Sequence, residues 1–263
     1  MRHPFELSVV LPCYNESRGL EAILDRFAMH GSGVSFELIL VDNGSTDDTS
    51  TVLERLLSRY PFARSVRIEE NRGYGHGLFT GLQAASAPFL AWSHADLQTD
   101  PADVFRAFRL VQDYPQPERV LVKGRRHGRS LSERVVSMGM QTLATLILLT
   151  PLSEINAQPK VFSRDLLDRL DAPPADFNFD LYVLLRAKRA GWRVLSFPVQ
   201  FPPRPFGVSH WASTWRSKVR TMSRSAAYMF RLGLTRESSY PLPAAHSEVR
   251  LRSAHPEAPA STR

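Results

Sequence analysis

Cysteine is almost absent from this sequence of 263 residues, which contains only Cys13. A single cysteine cannot form a disulfide within the chain, so the disulfide-stabilised folds of small secreted proteins are excluded and a reducing compartment is expected. The first six residues, MRHPFE, place no apolar run after their positive charge. We therefore expect no secretory signal and a cytoplasmic location.

Long apolar runs are also lacking. Residues 135–153 carry no charge and are long enough to cross a membrane. However, Ser137, Gln141 and Thr145 interrupt this stretch, and only residues 143–149 are densely apolar. The pattern favours a helix that lies at the membrane interface or packs on the core over one that spans the bilayer.

Acidic residues are also fewer than basic residues. The chain has 33 Lys and Arg against 26 Asp and Glu, a net charge of +7, and residues 204–236 contain seven basic residues and no acidic one. This surplus predicts an anionic partner, such as a phosphorylated ligand, an anionic lipid or a nucleic acid. No nucleic-acid-binding module is recognisable, so we expect no nucleic acid.

The first half of the chain alternates short apolar runs with helical patterns. The predicted strands are residues 7–11, 36–41, 65–68 and 88–92, and the predicted helices between them are residues 17–29, 46–59 and 77–87. Such alternation predicts an α/β fold, with a mostly parallel central sheet flanked by helices. Ligands of these sheets bind at the carboxyl ends of the strands. Those ends carry polar residues at 12–16, 42–45 and 94–100.

The second half is less regular. Its predicted elements are helices at residues 103–111 and 178–190, strands at 119–123 and 193–199, and a basic loop at 124–129. Residues 210–232 form the strongest amphipathic pattern, with basic residues opposite an apolar face made by Trp211, Trp215, Val219, Met222, Ala226 and Met229. This is typical of a helix at a membrane surface. An ordinary surface helix docked on the domain fits the same pattern.

The densest polar cluster, residues 94–100, follows the predicted strand at 88–92. In an extended segment, alternating oxygen ligands such as Asp96 and Gln98 point to one side, as a hard divalent cation requires. A second interpretation is a helix start, with Thr99 or Asp100 as the N-cap. Both can hold, because Asp100 can cap a helix while Asp96 binds a metal.

Four segments resemble those of a known family. They are LPCYNE at residues 11–16, VDNGSTDDT at 41–49, NRGYGHG at 71–77 and ADLQTDP at 95–101. The first two resemble the paired nucleotide-binding motifs of family 2 glycosyltransferases, which have the GT-A fold. The last resembles a segment of the polyprenyl- and dolichyl-phosphate sugar synthases within that family.

The resemblance implies one glycosyltransferase domain at residues 1–232. Residues 1–115 would form its nucleotide-sugar half, and residues 116–232 its acceptor half with two interfacial helices. Residues 233–263 lack periodicity, and we expect them to form a disordered tail.

The resemblance also implies a donor site. The residues implied to bind the nucleotide sugar are Pro12, Tyr14, Glu16, Asp42, Arg72 and Asp96. Asp96 and Gln98 would hold Mg²⁺ or Mn²⁺ against the diphosphate. His94 stands where the family commonly has another aspartate, and a neutral imidazole suits softer first-row ions better than it suits Mg²⁺.

At the acceptor site, the resemblance implies a catalytic role for Asp180, next to the acceptor, as well as for Asp96. The residues implied to meet an acceptor phosphate are Arg125, Arg126, Arg134, Arg204 and Ser209. The implied reaction is a direct displacement at the anomeric carbon of a nucleotide-activated sugar, with inversion of configuration.

The nature of the acceptor decides which groups the site needs. A sugar hydroxyl requires a general base, whereas a lipid phosphate is already mostly anionic at neutral pH and needs cations to position it. The arginines and the two candidate interfacial helices favour polyprenyl phosphate, used by a protein bound peripherally to the cytoplasmic face of a membrane. Transfer to a glycan or small-molecule hydroxyl is the alternative, as is a non-catalytic protein that binds nucleotide sugars.

Overall fold

A computed structural model describes residues 4–128, 131–202, 204–205 and 215–234, with the backbone alone at 131–136 and 215–219. Its strands are β1 (Leu7–Cys13), β2 (Phe36–Asn43), β3 (Ala63–Ile68), β4 (Phe89–Trp92), β5 (Val120–His127), β6 (Lys160–Ser163) and β7 (Arg193–Gln200). They form one sheet in the order β3-β2-β1-β4-β6-β5-β7. Of the strands described, only β6 runs antiparallel to its neighbours, so the predicted mostly parallel sheet is confirmed.

Helices cover both faces of this sheet. They are α1 (Leu20–His30), α2 (Thr49–Leu57), α3 (Tyr74–Ala84), α4 (Pro101–Gln112), α5 (Leu131–Leu148), α6 (Arg164–Leu167), α7 (Phe179–Arg189) and α8 (Trp215–Leu234). Side chains of β1 alternate between the two faces, since Val9 and Leu11 pack with α1 and α4 while Val10 packs with α3 and α7. Burial on both faces explains why β1 and β2 are nearly continuous apolar runs.

Two parts of the sheet differ from the sequence-based expectation. Residues 124–127, predicted as a basic loop, extend β5 and pair with β7. The short strand β6 was not expected, because Lys160 and Ser163 at its ends disguise a core of Val161 and Phe162. It lies between β4 and β5, where Lys160 is fully buried.

The two candidate interfacial helices, α5 and α8, pack against each other and on the core through Ala144, Leu148, Met229 and Leu232. No helix in the described residues is long and apolar enough to cross a membrane. Met229, which was expected on the membrane-facing side of α8, is buried in the core instead. The outward side of α8 combines basic and apolar side chains: Arg220, Arg224, Phe230, Arg231 and Leu234.

Helix α8 continues to Leu234, two residues into the predicted tail. Residues 235–263 lie outside the described part of the chain, as do Trp211 and Ser209. The division into a donor half and an acceptor half stays a prediction.

Candidate active site

The loops that follow β1 and β2 are joined at the carboxyl edge of the sheet. Asn15 has a left-handed backbone with φ of 57°. Its amide donates to Ser45 Oγ at 3.1 Å, and its Oδ1 accepts a bond from the Thr46 amide at 2.9 Å. The Glu16 amide donates to Thr49 Oγ1 at 3.0 Å. These bonds fix Glu16 beside the first turn of α2.

Asp42, at the end of β2, is buried and already has several hydrogen-bond donors. It accepts bonds from the Ser45 amide at 3.0 Å, from Ser50 Oγ, and from Arg67 Nη1 at 3.1 Å. Two carboxylate oxygens offer about four acceptor positions. One position is therefore left for the predicted bond to a base, and Asp42 also holds the β2 loop in place.

The other residues predicted to bind the nucleotide are more exposed. Pro12 and Tyr14 are half-buried at the end of β1 and in the loop after it. Arg72 is exposed in the loop between β3 and α3. The neighbouring Asn71 accepts a bond from Asn43 Nδ2 at 3.4 Å, which ties that loop to the end of β2. The nucleotide roles of Pro12, Tyr14 and Arg72 stay predictions.

The glycine-rich start of α3 lies against the loop at 174–176. A side-chain carbon on Gly73 would come within 2.4 Å of the Ala175 carbonyl oxygen, and one on Gly75 within 2.2 Å of the Pro174 carbonyl oxygen. Gly73 also has φ of 110°, which side-chain-bearing residues rarely adopt. These glycines therefore serve a close backbone approach that brings the start of α7 to the sheet edge.

The turn after β4 is not extended, contrary to the prediction, because Leu97 has φ of 62°. The Gln98 amide donates to Asp96 Oδ1 at 3.0 Å, which leaves Asp96 Oδ2 directed elsewhere. The predicted helix cap is confirmed, since Asp100 accepts a bond from the Ala102 amide at 2.9 Å and Pro101 opens α4.

Arg204, which was predicted to meet an acceptor phosphate, lies among the predicted donor-site residues. Its Nη2 is 2.6 Å from Asp96 Oδ2, its Nε donates to Gln98 Oε1 at 3.2 Å, and its Nη1 is 3.7 Å from Glu16 Oε1. Gln98 Nε2 also donates to the Pro202 carbonyl at 3.0 Å. The segment after β7 is thus anchored across the turn that follows β4.

Two titratable groups at this site are shifted. Burial raises the pKa of Glu16 to about 7, although the Arg204 guanidinium opposes that effect. Burial lowers the pKa of His94, against the influence of Asp96, so its imidazole is neutral at neutral pH. The metal-ligand role of His94 stays a prediction.

The oxygens around Arg204 fit a divalent cation in their chemistry. Asp96 Oδ2 is buried and has no hydrogen bond of ordinary geometry within the described residues, although a cationic group lies close to it. Carboxylate and amide oxygens are the ligands that Mg²⁺ and Mn²⁺ prefer. The described residues contain no group of three His, Cys, Asp or Glu that could hold a metal. A cation at this position would therefore bind to Asp96, to Gln98 and to further oxygens of a bound diphosphate.

Asp180, at the start of α7, lies in a closed network. Its Oδ1 accepts bonds from Lys160 Nζ and from Gln158 Nε2, the latter at 2.9 Å. Gln158 Nε2 also lies 3.2 Å from Tyr74 Oη. Lys160 and Asp180 are both buried, and the ammonium of Lys160 is 5.3 Å from the centre of the Trp92 ring. Burial, and then the Asp180 carboxylate, raises the pKa of Tyr74.

The arginines predicted at the acceptor site are not equivalent. Arg126 is largely buried, donates to Glu154 Oε2 at 3.0 Å and lies over the Phe201 ring. Arg125 precedes it on β5 and is exposed, because consecutive residues of a strand face opposite ways. The Arg134 side chain and all of Ser209 lie outside the described residues.

Sequence reasoning missed two buried lysines. Lys160 pairs with Asp180, and Lys123 Nζ donates to the Glu154 carbonyl at 3.0 Å. Burial lowers the pKa of Lys123 to about 7. The signal that could have found them is a lysine inside an otherwise apolar strand, as in RVLVK at 119–123 and PKVF at 159–162.

Comparison with known proteins agrees with this arrangement. Residues 8–171 match the family model described as glycosyl transferase family 2. An uncharacterized glycosyltransferase of Mycobacterium tuberculosis is 31% identical over 222 residues, which cover 81% of this chain and 93% of that protein. Glycosyltransferase AglD of Haloferax volcanii is 29% identical over 214 residues, 76% of this chain but only 33% of that longer protein. A dolichol-phosphate mannosyltransferase of Pyrococcus furiosus is 23% identical, over 86% of this chain and 63% of that protein.

Solved structures with the same fold include two sugar transferases. One is the glucosyl-3-phosphoglycerate synthase of Mycobacterium tuberculosis in complex with Mn²⁺, UDP and glucosyl-3-phosphoglycerate, with a TM-score of 0.63 and 22% identity over 89% of this chain and 82% of that chain. The other is a mannosyltransferase of Pyrobaculum calidifontis in complex with GDP-mannose and Mn²⁺, with a TM-score of 0.63 and 19% identity over 91% of this chain and 66% of that chain. The chain has the GT-A fold, belongs to glycosyl transferase family 2 and is a glycosyltransferase.

Proposed function

We propose that the protein transfers a sugar from a nucleotide diphosphate sugar to polyprenyl phosphate, with inversion, at the cytoplasmic face of a membrane. The observation that carries this proposal is the buried ion pair between Lys160 and Asp180. A hydroxyl acceptor requires a general base within hydrogen-bond reach. The acidic residue expected in that role is enclosed by Lys160 and Gln158 instead.

The donor end supports a nucleotide diphosphate sugar. The joined loops after β1 and β2 would hold the nucleoside, and Asp96 and Gln98 would hold Mg²⁺ or Mn²⁺ at the diphosphate. When bound, such an ion stabilises negative charge on the departing group. Relatives in fold were solved with Mn²⁺ and UDP or GDP-mannose, which supports the same donor class here.

The acceptor end supports a phosphate. An oxygen of the lipid phosphate would form a bond to the anomeric carbon, while the bond from that carbon to the diphosphate oxygen breaks. Nucleoside diphosphate then leaves with the electron pair. Because the phosphate is already anionic, the site needs positive charge more than a base. Arg126 would supply it by exchanging its present partner Glu154 for the phosphate.

Exposed apolar side chains support a membrane surface. On α5 these are Met138 and Leu146, followed by Leu149 just after the helix, and on α8 they are Phe230 and Leu234. Arg220 and Arg224 are exposed on the same helix, about three to four turns before Leu234. Apolar groups that enter the interface, together with arginines that meet anionic headgroups, are typical of peripheral membrane helices. We therefore assign this face to an anionic bilayer.

The test of the reaction is a transfer assay with purified protein, undecaprenyl phosphate in detergent, and labelled UDP- and GDP-sugars, with and without chelator. Chelator-sensitive label in the organic phase is the expected result. Nucleotide release only when a glycan is added would overturn the lipid acceptor but keep the glycosyltransferase. No release with any donor or acceptor would favour a protein that only binds nucleotide sugars.

The test of the membrane surface is sedimentation with vesicles of phosphatidylglycerol or of phosphatidylcholine. The wild type should bind the anionic vesicles, and Phe230→Ser with Leu234→Ser should weaken that binding about 100-fold or more, because each buried apolar side chain contributes about 1.5–3 kcal/mol. Met29→Ser is the matched control, since Met29 is 70% exposed on α1, on the other face of the sheet. Equal binding by all three proteins would contradict the assignment.

A further inference from the structure

Arg204 lies among the side-chain oxygens that are proposed to hold a divalent cation. All three of its guanidinium nitrogens lie near side-chain oxygens of the donor end: Asp96 Oδ2, Gln98 Oε1 and Glu16 Oε1. The approach to Asp96 Oδ2 is close, at 2.6 Å, yet it lacks ordinary hydrogen-bond geometry. The arginine thus acts mainly as a counter-charge for a buried carboxylate.

The guanidinium and a metal ion would compete for Asp96 Oδ2. Mg²⁺ binds oxygen at about 2.0–2.1 Å, so an ion on this oxygen would lie close to the guanidinium nitrogen that is 2.6 Å from it. Two cations at such a separation would also repel each other strongly in a buried site. Because of this repulsion, movement of Arg204 away from Asp96 would favour metal binding at that oxygen.

We propose that Arg204 is a built-in counter-cation of the donor site, held against Asp96 when no nucleotide is bound and released from it when a metal–nucleotide complex binds. This inference rests on the proposed nucleotide-sugar donor. In the empty site Gln98 positions the arginine, because its Nε2 donates to the Pro202 carbonyl while its Oε1 accepts a bond from Arg204 Nε. The bond from Gln98 Nε2 to the Pro202 carbonyl would keep the released guanidinium beside the site, where it can meet an anionic ligand.

The pair also has a structural consequence. Without Arg204, the buried carboxylate of Asp96 and the neighbouring Glu16 would face each other with no cation between them, which is unfavourable. Arg204 therefore stabilises the empty site and, by the same contact, lowers its affinity for free metal. Coupling of this kind between two ligands is reciprocal and commonly amounts to a factor of about 5 to 150.

The experiment is a Mn²⁺ titration of the protein without nucleotide, in which free Mn²⁺ is measured by electron paramagnetic resonance. Arg204→Ala should bind Mn²⁺ at least about fivefold more tightly than the wild type, and Arg204→Gln provides a second reading if the alanine variant does not fold. Arg64→Ala is the matched control, because Arg64 pairs with Glu37, away from this site, at 3.0 Å. The control should bind Mn²⁺ as the wild type does.

A second titration includes UDP or GDP and separates the two proposals. In one outcome, the wild type binds Mn²⁺ with nucleotide while the Arg204 variants bind free Mn²⁺ no more tightly than the wild type does. That result would overturn the counter-cation role of Arg204 but would keep the proposed nucleotide-sugar donor. If the wild type binds no Mn²⁺ with either nucleotide, the proposed donor itself fails. The expected result has two parts. The Arg204 variants bind free Mn²⁺ more tightly than the wild type does, and the wild-type protein binds Mn²⁺ when nucleotide is present.

Discussion

The proposed donor and acceptor ends of the site both pair carboxylates with a basic side chain, but they differ in how the pair is held. At the donor end, Arg204 reaches Asp96 from an irregular segment after β7 and remains 27% exposed. At the acceptor end, Lys160 reaches Asp180 from the middle of the sheet, and both side chains are at most 3% exposed. The first pair can exchange its cation for another, whereas the second is part of the core.

The largest expected effect is on the acceptor-end pair. Lys160→Met should lower the free energy of unfolding by about 3–5 kcal/mol, because it leaves the buried Asp180 carboxylate without its cation. The double variant with Asp180→Asn should recover much of that loss, since both charges are then removed. Urea unfolding of the two variants checks this. If the free energy of unfolding of Lys160→Met falls by less than about 1 kcal/mol, the Lys160–Asp180 pair is not a fixed part of the core and does not differ from the Arg204–Asp96 pair in this way.

The donor-end pair should respond in binding rather than in stability. Asp96→Asn should weaken binding of the Mn²⁺–nucleotide complex by about 100-fold or more, since even groups outside the ligand shell commonly account for 10–100-fold in metal affinity. Calorimetry with UDP and GDP measures it. Asp100→Ala lies in the same turn but acts as a helix cap, so it should cost only about 0.5–2 kcal/mol of stability and leave nucleotide binding intact.

Lys123 sharpens the comparison through pH. Its ordinary pKa of 10.5 falls to about 7 in the folded chain, so between these values the unfolded state holds a proton that the folded state has released. The free energy of unfolding should therefore rise with pH across this window, by up to about 1.4 kcal/mol per pH unit. The free energy of unfolding, measured with denaturant from pH 7 to 9, should rise less steeply with pH for Lys123→Met than for the wild type. Equal slopes would mean that Lys123 keeps its proton in the core.

The smallest expected effect separates two neighbouring arginines. Arg126→Gln should raise the KM for undecaprenyl phosphate several-fold, because Arg126 lies inward beside Glu154 and Phe201. Arg125→Gln, on the exposed side of the same strand, should leave that KM within about twofold, as surface charges contribute little. Steady-state kinetics in detergent measure both. The reverse order would move the acceptor to the other side of β5.

The parts of the fold that depend on local pattern were predictable. Apolar runs and helical spacing identified β1 to β4 and their helices, and the polar residues at the strand ends identified the donor loops. The strand β6 was not predicted from the sequence, because it is short and carries Lys160. The burial of Lys160 depends on Asp180, about twenty residues later.

The placement of Arg204 could not be predicted for a similar reason. Its contact with Asp96 joins residues 108 positions apart in the sequence, and no periodicity encodes such a contact. The fold of the segment after β7 decides which carboxylate it meets. Likewise, the inward direction of Met229 depends on how α5 and α8 pack, which the amphipathic pattern of α8 alone did not settle.

The reversed direction of β6 determines how this enzyme can diversify. Lys160, the first residue of β6, is the cross-strand partner of Trp92, the last residue of β4. The connection at 149–159 therefore arrives at the edge where the donor loops begin, without being part of them. If the proposed acceptor assignment holds, changes in the length or composition of this connection would alter the acceptor side and leave the loops after β1 and β2 in place, so acceptor and donor preference could evolve as separate traits.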